Sequence, residues 1–136
     1  MPNFKLQQLK HESDMWKRVL GFMKEENIHL KNRLSEILKT DISNDLLMKA
    51  EAFQNSFVRE DDLIRFLQSD IAVFDKLLIR EIFENGTIMN KLTENLKTIR
   101  KNISNAERQF NKLKLEFNNY LLEYQAAPEN LISKKR

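Results

Sequence analysis

Glu26 and His29 stand three residues apart, the Glu-x-x-His step by which one helix offers a carboxylate and an imidazole from the same face. Carboxylate-bridged iron and manganese bundles use that step twice, with two further glutamates completing the site. The second histidine, His11, has no acid three residues before it. A second copy of the chain would therefore have to supply the second step, with Glu60 or Glu81 completing the set. Relative to the apolar seam through Met23 and Leu30, His29 falls off the core face, and an exposed histidine among solvated charges accounts for it. A histidine phosphorelay lacks support as well. The small residues and glycine expected around a phosphoacceptor are missing near both His11 and His29. Neither histidine has a recognisable Ser-His-Asp or Cys-His partner. Cysteine is absent, which removes disulfides, thiolate catalysis and cysteine-zinc sites together. The expectation is a protein that is not an enzyme and uses no cofactor or metal.

Two other sets of residues bear on chemistry. Asp75 projects towards a helix seam, and a buried acid can serve as a base with a raised pKa. With no nucleophile or metal set beside it, pairing with Lys97 is the simpler reading. Lys97, Lys101, Arg108 and Lys112 line one outer stripe of a helix and, with the Lys134-Lys135-Arg136 tail, are candidates for phosphate contact. No aromatic residues interleave them to stack on bases. Nucleic-acid binding is thus expected to be weak at most. Asn85-Gly86-Thr87 and Asn102-Ile103-Ser104 match the glycosylation acceptor pattern, a coincidence in a chain expected to stay in the cytoplasm.

The elements that hold these residues are legible from heptads. A first helix is expected from about residue 4 to 38, where Leu9, Trp16, Met23, Leu30 and Ile37 recur every seven residues, with Leu20 and Leu34 between them. Asn27 occupies a seam position, where a polar group fixes register. Gly21 lies inside the helix and marks a close contact or a bend. Asp41 or Ser43 caps a second helix over about 44–84, some 60 Å long at about 1.5 Å per residue. Its seam is Ala50, Phe57, Ile64, Ile71 and Leu78, with Leu46, Phe53, Leu67 and Phe74 between. Glu60 stands at a seam position within the cluster Arg59-Glu60-Asp61-Asp62, which is also where a break would fall. Gly86 closes this helix and Thr87 caps a third over about 88–126. There Met89, Leu92, Leu96, Ile99, Ile103, Ala106, Phe110, Leu113, Phe117, Tyr120 and Tyr124 alternate in steps of three and four, a helical period. Pro128 ends it, leaving 128–136 as a basic tail.

The fold expected is all-α: one elongated, coiled-coil-like, antiparallel three-helix bundle over 1–127, running up-down-up. Long bundles with a tryptophan in the first helix are similar in architecture to spectrin-type repeats, a likeness that rests on heptads and carries no function. Turn arithmetic places Trp16 level with Gln68, Ser104 and Ala106, and Glu60 level with Lys24 and Lys112. Residues 1–42 carry a net charge of +2, 43–85 of −4 and 86–136 of +5, a sign alternation that suits neighbouring helices. No apolar run approaches the roughly 20 residues needed to span a bilayer, and the start lacks the apolar block of a secretory signal.

The second helix has an apolar stripe too many. Leu63, Phe66, Val73 and Leu77, interrupted by Asp70, run along sides that the main seam does not use. A helix apolar nearly all round must be covered from more than one direction. The expectation is a homodimer joined there, an interaction or scaffold module with another protein as a possible partner. The alternatives are a dimeric metal-carboxylate bundle and a weak nucleic-acid binder.

Overall fold

The computed structural model describes residues 2–40, 42–84 and 88–135. It holds three helices, α1 (Pro2–Leu38), α2 (Asn44–Glu84) and α3 (Met89–Lys135), with no strand among the described residues. The chain is a three-helix bundle. Its seam residues are where the heptads place them: Leu9, Trp16, Leu20, Met23 and Leu34 of α1, Phe57, Ile64, Ile71 and Phe74 of α2, and Leu92, Ile103, Phe110 and Phe117 of α3 are all buried. Fully burying side chains of this size stabilises by about 1.5–3 kcal/mol each, far more than helix propensity supplies.

Ser43 caps α2. Its Oγ accepts from the Leu46 N–H at 3.3 Å, and its carbonyl accepts from the Leu47 N–H at 2.9 Å. The other candidate cap, Asp41, lies outside the described residues, as do Asn85, Gly86 and Thr87. The buried Glu81 of α2 accepts from the Ile88 N–H at 3.1 Å through its Oε1, just before α3 begins.

α2 passes through Arg59–Asp62 without a break. The acids there point in three directions, so none crowds the same space: Glu60 inward, Asp61 towards α1, and Asp62 outward to Arg65. Pro128 does not end α3, which runs on to Lys135. Proline removes one donor but holds the φ that a helix uses, so the helical course resumes beyond it.

The core is split. One apolar cluster runs from Leu6 to Met23 on α1, with Ile64–Leu78 and Leu92–Phe110 packed on it. A second joins Leu34 and Ile37 to Leu46–Phe57 and Phe117–Leu121. Phe53, Phe57, Phe117 and Tyr120 form its centre, with ring centroids 5.1–5.3 Å apart across α2 and α3. Between the clusters lies a polar layer made by Asn27 and Glu60, both buried, with Leu30 touching both halves.

Trp16 meets Phe74 edge-on at 5.2 Å, and not Gln68, which is exposed. Its expected levels on α3 hold: it shares a cluster with Ala106 and a groove with Ser104.

Candidate interaction surfaces

α2 lies against both other helices, whereas the backbones of α1 and α3 approach each other at few points. Two surfaces follow from that arrangement: the outer face of α2 and an open furrow between α1 and α3.

The five residues expected on the outer face of α2 separate. Leu77 is in the core, and Leu63 is half-buried against it. Phe66 and Val73 remain 59% and 52% exposed, seven residues apart on one face. Asp70 is half-buried and shares a shallow groove with Val73, Asn95, Thr98 and Ile99. The second stripe is thus partly covered by the chain's own fold and partly open.

The furrow was not anticipated. Three successive grooves follow it, from Lys5 and Thr93 at one end to Thr40 and Gln125 at the other, the first of about 1020 Å³. Leu9, Trp16, Leu96 and Ile103 line the first. Ion pairs bridge the two walls. Arg100 donates to both oxygens of Glu12, from Nε at 2.5 Å and Nη2 at 2.7 Å, and Lys114 reaches Glu26 at 2.9 and 3.1 Å. The signal in the sequence was a second pair of apolar residues on α1, Met15 and Phe22, seven apart, both exposed and both lining these grooves.

The polar groups offer structural roles in place of chemistry. Asp75 does not pair with Lys97. It takes hydrogen bonds from Ser13 Oγ and Lys17 Nζ, both at 2.6 Å, because it faces α1 and not α3. Burial would raise its carboxyl pKa, but the bonds from Lys17 and Ser13 outweigh that and hold it below the usual value. Glu60 does not meet Lys24 or Lys112, which stand on exposed faces. Its Oε1 is buried without a partner among the described residues, and burial followed by repulsion from Asp61 pushes its pKa up. Asp61 is the residue that reaches a lysine. It accepts from Lys31 and from Asn27 Nδ2 at 2.8 Å, and these bonds overcome burial to lower its pKa. Asn27 Nδ2 also donates to the Phe57 carbonyl at 2.9 Å.

Of the alternative metal step, Glu26 is engaged by Lys114, and His29 is exposed beside Arg33 and Glu36. Among the described residues no three His, Cys, Asp or Glu side chains stand together as a ligand set. Lys97, Lys101, Arg108 and Lys112 are all exposed, Arg108 bonding Asn105 and Lys97 opening onto the furrow. No helix among the described residues is long and apolar enough to cross a membrane. No family model matches the chain, and no curated protein or solved structure shows significant similarity to it.

Proposed function

We propose that this chain is a non-catalytic helical interaction module, an up-down-up antiparallel bundle that acts in the cytoplasm as a homodimer and presents its faces to other proteins. The side-chain pairings support the helix course. Ser13–Asp75 and Asn27–Asp61 run in opposite senses along α1 and α2, while Glu12–Arg100 and Glu26–Lys114 run in the same sense along α1 and α3. The observation that carries the function is the outer face of α2. Phe66 and Val73 are large, apolar and more than half exposed in a single chain, and water contact with such side chains is unfavourable by about 25 cal/mol per Å².

Light scattering behind a sizing column tests this. Wild type is expected to run as a dimer, and Val73→Asp as a folded monomer with unchanged helical circular dichroism. A wild-type monomer at high concentration would remove the dimer. A Val73→Asp dimer would move the interface elsewhere.

A further inference from the structure

The furrow between α1 and α3 has the shape of a four-helix bundle with one helix missing. Its α1 wall carries exposed apolar residues at heptad spacing, Met15 and Phe22, across from Leu96, Ile103 and Phe110 of α3. The floor is already packed: Trp16 and Ile103 are buried. A helix laid along this length would cover the exposed residues without disturbing the core beneath, which is the helix-in-groove mode of recognition.

Charge selects the occupant. Arg100 and Lys114 are neutralised by Glu12 and Glu26. The lining cations without a carboxylate partner among the described residues are Lys5, Arg18, Arg33 and Lys97, against two such acids, Glu36 and Glu107. Two copies meeting furrow to furrow would bring these excess cations together. The chain's one acidic helix, α2, is already the centre of its own bundle in every copy. A second copy is therefore a poor fit.

We propose that the furrow binds an acidic amphipathic helix of another protein, which lies between α1 and α3 as a fourth helix. This deepens the interaction-module reading and rests on it, while using a surface separate from the outer face of α2.

Trp16 is the sole tryptophan, and it lines the furrow, so its emission reports occupancy. The full chain is titrated with two synthetic peptides of about four heptads, both with leucine at seam positions, one flanked by glutamate and the other by lysine. The glutamate peptide is expected to bind saturably and shift the Trp16 emission. Phe22→Asp should weaken that binding by at least about tenfold. Arg18→Glu with Lys97→Glu should transfer preference to the lysine peptide. All three positions are exposed, and circular dichroism checks that each variant is folded. Val73→Asp, which breaks the proposed dimer, should bind the glutamate peptide as wild type does. The proposal is overturned if the glutamate peptide does not bind, if both peptides bind alike, or if Phe22→Asp leaves binding unchanged. It is also overturned if Phe22→Asp dissolves a wild-type dimer, since a second copy would then occupy the furrow.

Discussion

Glu60 is the residue whose surroundings suit it least. It occupies a seam position between Phe57 and Ile64, both buried, and one of its oxygens has no hydrogen-bond partner among the described residues. An unsatisfied buried polar group costs about 1–3 kcal/mol. Glu60→Leu is expected to raise stability at pH 7 by about 1–3 kcal/mol, measured by urea unfolding. The gain should shrink with acid. Because the folded-state pKa lies above the ordinary value of 4.5, wild type takes up a proton on folding in the window just above 4.5, and its penalty is relieved there as pH falls. Asp61 and Asp75 behave in the opposite sense. Their pKa values are lowered in the fold, so the stability they contribute is present above their ordinary value of 3.8 and lost as pH falls through the lowered one. A Glu60→Leu gain that is the same at pH 7 and pH 4.5 would show that the carboxylate is not strained. That Glu60 and Asn27 are polar seam residues was legible in the sequence. Which groups they meet was not, because a partner is fixed by rotation about the helix, and residues 60 and 61 differ there by about 100°.

At the scale of elements, the three helices were readable because long heptad runs and a near absence of glycine leave few places to turn. Two features were not. Pro128 reads as a stop, yet α3 continues past it. The level of Trp16 on α2 was placed about one and a half turns short of Phe74. Helix side chains lean towards their own N-terminus. On antiparallel neighbours, as in the proposed course, they lean oppositely, so a residue meets a partner several positions beyond the one turn arithmetic gives. On α1 and α3, which the proposed course makes parallel, the leans agree, and the expected levels hold. Gly21 is corrected in one of its two readings, since a side chain there would meet nothing within 4 Å. It marks no close contact. Gly21→Ala should therefore stabilise the protein by about 1 kcal/mol through helix propensity alone, seen as a higher urea midpoint with unchanged slope. A loss of stability would mean that the glycine backbone is doing something the packing does not reveal.

For the whole molecule, the uneven contacts among the helices shape what can be exposed. α2 holds the bundle together, and the weak direct contact between α1 and α3 leaves the furrow open. The extra apolar pair Met15 and Phe22 hints at a further face on α1 but not at a gap, because heptads state which face is apolar and not how far apart two neighbours sit. The polar layer at Asn27 and Glu60 has a different consequence. It separates two apolar clusters, each with residues from all three helices, so each half can come apart while its neighbour stays packed. Native-state hydrogen exchange is expected to sort the amides into two groups that divide near residues 27, 60 and 114. Phe117→Ala, which should cost about 3–5 kcal/mol, should lower protection in the second group more than in the first. Equal loss in both would mean one cooperative unit. With two, unfolding has a stopping place halfway along the bundle.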